Sequence, residues 1–454
     1  MRMITERSVC RANGVLVFAF VALLVLIPEA YRIVALLALL VLAVGALTLR
    51  RAPQWRLDRD DAWLCLALVL YGGIWLLDVW RSGYWPMVDG AGYQLLPIWP
   101  LVAALILVGM RCYPPNPRML WWGACCGALG AGTIALYERV VLGVERASNG
   151  INAIPFGNLS LLLGSLSLLT VLWCLRRQRP RHVGLLILAM VAALLGLLGS
   201  LLSGTRGGWV ALPFVLLIVY RAARDLLPLR HLRLGAGGLV LLMLVPILLP
   251  QSGVSERVGQ VADDAQRYWQ RGDAGSSLGV RLELWRAGVM LISEKPLLGF
   301  GEHRMEKALG DLAEEGRVYD RVVIHMQLHN EVIDTAARRG LLGATSLLLL
   351  YGIPLWIFWK KLRRAGHEPG LQVLAAAGMM VPVAFFDFGL TQSMLRDLRG
   401  LSGYLGLCVL CWVTLRAYEE TLRTLPISSP PLHRTPYIAD DKGELIVQRS
   451  RSRS

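Results

Sequence analysis

Twelve apolar stretches run along this chain, at approximately 14–28, 33–49, 62–80, 95–110, 119–137, 154–175, 183–202, 209–220, 234–249, 340–359, 371–390 and 400–415. Each approaches the ~20 residues that an α-helix needs to cross a bilayer core. In hydrocarbon the backbone polar groups must be satisfied within the segment, so stretches of this kind have to be helical. The short ones, such as 209–220, borrow flanking residues to complete a crossing. All 47 Lys and Arg fall outside the stretches, and the only acids inside are Asp78 and Asp387, each near an end. That is what the cost of charge in hydrocarbon demands. With 55% apolar residues, 17% charged and a mean hydropathy of +0.51, the composition excludes a soluble domain. The sequence predicts an all-α polytopic membrane protein of about twelve transmembrane helices.

The net charge of +15 invites a nucleic-acid reading, but its distribution argues against one. With the N-terminus taken as cytoplasmic, segments 1–13, 50–61, 111–118, 176–182, 221–233 and 360–370 carry 21 Lys and Arg, whereas 29–32, 81–94, 138–153, 203–208 and 391–399 carry 7. This is the positive-inside pattern, so both termini are expected in the cytoplasm and the long polar insertion 251–339 outside. The insertion holds 12 basic and 14 acidic residues, so the excess charge is topogenic. The stretch 14–28 runs through Pro28 and Glu29 into the next without a small-residue cleavage site, and both are read as retained. The chain then divides into nine transmembrane helices over 1–250, a large external helical loop over 251–339, three more helices over 340–415, and a disordered cytoplasmic tail over 416–454. None of the eight cysteines lies in the insertion, which removes a disulfide framework or thiolate metal site from it.

Two external features carry the chemistry. The first is the turn Ser203-Gly204-Thr205-Arg206-Gly207-Gly208-Trp209, where glycines permit close backbone approach and Arg206 presents a fork of donors suited to phosphate. The alternative is an arginine that only snorkels to lipid headgroups. The second is the insertion. Helical spacing marks 257–271 and 281–292 as amphipathic helices lying on the membrane or over a cavity mouth, with Arg281 opening the second. A Pro/Gly break follows at 296–301, and then His325 and the triplet His329-Asn330-Glu331. Asn330 is placed to N-cap a helix running into the tenth stretch. His329 would sit before that N-terminus, where the dipole disfavours imidazolium and keeps the ring able to take a proton. Arg338 and Arg339 lie externally against the charge trend, which suggests an anionic ligand, although Glu331 and Asp334 balance much of their charge. Outside the membrane there is no ATP, so a reaction there needs an activated donor. Arginines at the lipid boundary beside a histidine base fit a lipid-linked diphosphate. The insertion contains no Asp-x-Asp pair or metal-ligand spacing, and no metal or other cofactor is expected.

At these residues the chain resembles the bacterial O-antigen ligase family, within the ligase/polymerase superfamily of membrane glycosyltransferases. The likeness rests on Gly204-Thr205-Arg206-Gly207, Arg281 with Trp285, Pro296 with Gly299-Phe300-Gly301, and His329-Asn330 followed by Gly340 and Gly343. It spans roughly 120–400. The resemblance implies a GT-C-like fold with a periplasmic loop in the inner membrane, and inverting transfer of O-antigen from undecaprenyl diphosphate to lipid A–core. By motif match it makes His329 the base and Arg206 and Arg281 the diphosphate binders. His325, Asn330, Arg338 and Arg339 would be auxiliary. An O-antigen polymerase and a protein O-oligosaccharyltransferase share these motifs, although the latter usually has a further external region near the C-terminus. A secondary transporter, which usually carries ionisable residues at mid-membrane, is the rival of another class.

Overall fold

Hydropathy sets where the helices lie, and polar caps, prolines and glycines set where they stop. The computed structural model describes residues 5–48, 57–88, 92–176, 183–205, 207–228, 230, 233–235, 237–238, 263–264, 266–270 and 274–424, and the backbone of 437–439 and 445–447. The helices are α1 (Glu6–Leu23), α2 (Ala30–Thr48), α3 (Arg59–Ser82), α4 (Trp99–Cys112), α5 (Arg118–Leu136), α6 (Ala153–Leu175), α7 (Val183–Leu202), α8 (Leu212–Ala223), α9 (Ser277–Glu294), α10 (Arg304–Glu314), α11 (Glu331–Arg364), α12 (Pro369–Thr391) and α13 (Leu398–Thr424). The only described strands form two small antiparallel hairpins, 87–88 with 92–93 and 437–439 with 445–447. The protein is therefore an all-α polytopic membrane protein. Among the described residues, eight helices are long and apolar enough to cross a membrane, and α4 and α8 lie within shorter apolar segments.

Eleven of the twelve expected stretches coincide with helices. The remaining one, 234–249, lies largely outside the described residues. The first helix begins earlier than hydropathy suggests, at Glu6 after the Thr5 cap. Its polar first half is accommodated because Asn13 is fully buried and donates to the Tyr113 carbonyl at 2.7 Å. In the heavily buried α6, the hydroxyls of Ser160, Ser165, Ser167 and Thr170 each bond back to the carbonyl four residues earlier. None of these four hydroxyls is thereby left unpaired inside the bundle.

The end of the bundle away from the insertion is tied by ion pairs. Arg111, 1% exposed, bridges Asp61 and Glu420 at 2.9 Å each, and Trp412 donates to Asp61 at 2.6 Å. Arg416 pairs with Asp58 and Glu419, and Lys361 with Glu419. These contacts keep α13 helical to Thr424, so the tail expected from 416 begins at least eight residues later. The 437–439/445–447 hairpin is a second departure from the disordered tail.

The described part of the insertion has its own core, in which Leu284 and Leu291 of α9, Met305, Leu309 and Leu312 of α10, and Leu328 meet Ala337 of α11. Of the helix expected over 257–271, only 263–264 and 266–270 are described. The insertion joins the bundle through a backbone stitch. α11 breaks at Gly340 (φ 59°, ψ −156°), and the freed groups pair with the Pro/Gly segment. Phe300 N donates to Ala337 O and Gly301 N to Arg338 O, while Leu341 N donates to Pro296 O. The approach is reciprocal. A Cβ on Gly299 would lie 2.4 Å from the Arg338 carbonyl carbon, and one on Gly340 2.3 Å from that of Leu297. Both glycines also have positive φ. Gly340→Ala should therefore lower the thermal stability of the detergent-solubilised protein by at least about 1–3 kcal/mol. Gly310→Ala, in α10 with nothing within 4 Å of its added Cβ, should be neutral or slightly stabilising; equal melting temperatures for the two variants would refute the stitch.

Candidate functional site

His329 is held from three directions. Leu328 before it is fully buried, and its N–H donates to Asp334 at 3.0 Å. Asn330 after it caps α11, accepting from Val332 N and Ile333 N at 3.1 Å each. The His329 Nδ1 lies 2.8 Å from Gln392 Oε1. Between these anchors the His329 backbone takes φ 50°, a conformation sparsely used by residues with a side chain. A carbonyl oxygen only accepts, so Nδ1 carries the proton and Nε2 keeps its lone pair. Burial pushes the imidazole below its ordinary pKa; the Gln392 hydrogen bond opposes this, and the positive charges of Arg281 and His325 reinforce it. The ring is thus a neutral base at neutral pH. His325 stacks edge-on against it, with centroids 5.4 Å apart.

Arg281 is half-buried in α9, whose N-cap is Ser276. It forms no hydrogen bond or ion pair among the described residues. Burial and then the Arg146 charge push its guanidinium below the usual value. Arg146 Nε in turn donates to the Ser203 carbonyl at 2.9 Å and covers Gly204. Arg206 lies outside the described residues, but its neighbours mark the surroundings. Thr205 donates to Ala153 O at 2.9 Å, and a Cβ on Gly207 would lie 2.2 Å from Thr391 Oγ1. Thr391 ends α12, and the next residue is the Gln392 that holds His329. The flanks of the Gly-Thr-Arg-Gly turn, Arg146, Arg281 and His329 therefore gather at one end of the bundle.

Arg338 and Arg339 are placed differently from the expectation of anion binding. Arg338 is 0% exposed and bonded to Glu302 at 3.0 Å, Asp334 at 3.2 Å and the Met326 carbonyl at 2.6 Å. Its charge is fully answered inside the protein. Arg339, also buried, donates to Thr335 at 3.2 Å, stacks over Trp75 at 4.2 Å and approaches Glu302 at 3.9 Å. Asn330 acts through the backbone as the expected cap. The sequence reading missed the organising group, Glu302. Arg396 Nη1 donates to both of its carboxylate oxygens at 2.9 Å, Trp75 donates at 3.1 Å, and its own N–H donates to Asp78 at 3.2 Å. Burial alone would raise this carboxyl, but Arg396, Arg338 and Arg339 bring it down to about 2. One sequence signal existed: Arg396 is an external arginine against the charge trend, as Arg338 and Arg339 are. Gln392 carries no such signal. Among the described residues no group of three His, Cys, Asp or Glu could hold a metal ion.

Residues 191–348 match the family model described as O-antigen ligase. A protein of Haemophilus influenzae named only as uncharacterized is 21% identical over 413 residues, covering 90% of this chain and the whole of that protein. The O-antigen ligase of Escherichia coli K12 is 26% identical over 117 residues, 25% of this chain and 28% of that protein. The resemblance read from the sequence is borne out over residues 191–348, about a third of the chain, which match the O-antigen ligase model.

Removing the carboxylate would leave buried guanidinium charge uncompensated, so Glu302→Ala should destabilise the protein by about 3–5 kcal/mol. A partly exposed control, Glu306→Gln, should change little. Unfolding monitored by intrinsic tryptophan fluorescence in detergent measures both, and wild-type stability of Glu302→Ala would remove the hub from the account.

Proposed function

We propose that this protein is an O-antigen ligase, an inverting glycosyltransferase that moves an O-antigen chain from undecaprenyl diphosphate to lipid A–core without a metal ion. The observation that carries the proposal is a neutral imidazole, fixed through Nδ1 by Gln392, in the field of the half-buried Arg281, which has no partner among the described residues. His329 Nε2 takes the proton of the acceptor hydroxyl as that oxygen attacks the anomeric carbon. The bond from that carbon to the diphosphate oxygen breaks, and undecaprenyl diphosphate leaves. Arg281 and Arg206 stabilise its developing charge, the role that a divalent ion has in other diphosphate chemistry. Attack opposite the leaving group inverts the anomeric centre. Arg338 and Arg339 are outside this chemistry and hold the platform on which His329 stands.

The positive-inside distribution supports a bacterial inner-membrane location with both termini cytoplasmic and the site periplasmic. In that arrangement the donor diphosphate lies at the membrane rim and its tail in the bilayer. A GT-C-like architecture accords with the many-helix bundle and its single external helical insertion. The match of residues 191–348 to the family model described as O-antigen ligase supports the ligase reading over its superfamily relatives. Transport is disfavoured because, among the described residues, the one broken span, α11, is interrupted at Gly340, where the insertion joins.

The test is reconstitution in proteoliposomes with a lipid-diphosphate glycan and, in separate arms, lipid A–core, a second glycan chain or a protein as acceptor. Elongation of lipid A–core alone, surviving chelation by EDTA, is the expected result. Elongation of another acceptor, or EDTA loss rescued by a divalent ion, would overturn the corresponding part. His329→Ala and Arg281→Ala should reduce transfer at least about 100-fold while the protein still accumulates. Because the base must be neutral and its pKa is lowered, wild-type kcat/KM should be flat at neutral pH and fall only below the ordinary imidazole range. Gln392→Glu places an anion on Nδ1, favours imidazolium, and should move that acid limb to higher pH.

A further inference from the structure

On another face of the bundle, α1, α2, α4 and α13 line an open apolar groove, with about 500 Å³ of free space when the adjoining solvent is included. Phe20, Tyr31, Ala38, Val102, Ile106 and Leu405 are among its walls, and Ser402 is the one lining residue with an aliphatic hydroxyl. That hydroxyl is buried without a hydrogen-bond partner. One turn earlier on α13 stands Arg399. Residues 399, 402, 405/406 and 409/410 recur at helical spacing, so Arg399 heads the stripe that faces the groove. Arg399 and Ser402 are each 5% exposed. The Arg399 guanidinium lies 5.7 Å from the Tyr31 ring, its Nη1 has no hydrogen-bond partner, and no ion pair to it occurs among the described residues.

The nearby acids are already engaged. Glu29 pairs with Arg32 and accepts from Tyr31 at 3.2 Å, and Asp397 accepts from Gly400 N at 2.8 Å. Arg32 also reaches Gln94 at 3.1 Å. A guanidinium buried at the membrane rim without a bonded anion is costly. A phosphate above an apolar channel would relieve that cost.

We propose that this groove binds an anionic glycerophospholipid, with one acyl chain between the four helices and the phosphate on Arg399 and Ser402. The occupant differs from the glycan donor. His329 is tied to Gln392 at the end of α12, whereas the Arg399 guanidinium lies beside the Tyr31 ring of α2. A diphosphate seated beside His329 therefore leaves Arg399 unanswered. The lipid would bind α13 to the α1–α2 pair, steadying the helix that follows the Arg396 turn.

The test uses the full chain purified in mild detergent, with bound lipid identified by native mass spectrometry. Thermal stability is measured in phosphatidylcholine nanodiscs with and without phosphatidylglycerol. Expected are a retained phosphatidylglycerol and a higher melting temperature when it is present. Arg399→Gln should reduce retention at least about tenfold and abolish the shift. Val102→Phe, which fills the groove and leaves the guanidinium intact, should do the same and carries the test if Arg399→Gln fails to fold. Unchanged retention in Val102→Phe would overturn the proposal. So would a polyprenyl phosphate or a lipid A–type glycolipid retained instead, in a way sensitive to Arg399. The readout needs no glycan, so it stands or falls separately from the transferase proposal.

Discussion

A single buried carboxylate, Glu302, organises the end of the bundle where the candidate site lies. Around it converge the guanidiniums of Arg396, Arg338 and, more loosely, Arg339. These belong to the turn before α13 and to the first turns of α11. Its other contacts are Trp75 and Asp78, both on α3. Each of these charges would be costly to bury alone, and together they satisfy one another only if all the elements arrive in one register. The segment supplying Glu302 is also the one that stitches to the broken α11, through Phe300 and Gly301. Ionic and backbone constraints therefore act on the same few residues. The insertion cannot shift relative to the membrane helices without breaking both.

This arrangement separates two kinds of arginine that look alike in sequence. Arg338 and Arg396 end on carboxylates inside the protein, and Arg281 does not. Charge that is already paired offers little to an incoming anion, because binding would have to break bonds as good as those it forms. A half-buried guanidinium without a partner among the described residues, further disfavoured by Arg146, gains the most from a phosphate. The same reasoning picks out Arg399 at the head of α13, although its apolar groove answers to a different ligand.

Much of the fold was legible because membrane insertion is governed by a single-sequence property. Eleven stretches read from hydropathy coincide with helices, and the Asn330 cap and the break at 296–301 were read from local chemistry. What failed needed tertiary knowledge. The first helix reaches back to Glu6 because Asn13 finds a carbonyl a hundred residues away. α13 runs past 416 because Arg416, Glu419 and Glu420 meet Asp58 at the cap of α3, Lys361 of α11 and Arg111 of α4. Arg338 seemed available because its partner Glu302 is distant in sequence, and Gln392 went unnoticed because an uncharged residue at a helix end has no pattern. The periodicity of a sequence reports what a helix buries, not which side chain lies across from it.

The backbone of His329 shows why this much structure stands behind one ring. A residue with a side chain at φ 50° is strained, and such a conformation persists only when its surroundings determine it. Here Leu328 is locked in the insertion core, Asn330 is committed to capping α11, and the ring itself is tied to the end of α12. Relaxing the backbone would break at least one of these. The geometry orients Nε2 independently of any ligand, so the ring needs little ordering when a hydroxyl arrives. Burial removes the competing charged form at the same time. Position and protonation state are therefore both set by the fold, and the Glu302 hub is what makes the fold stiff enough to set them.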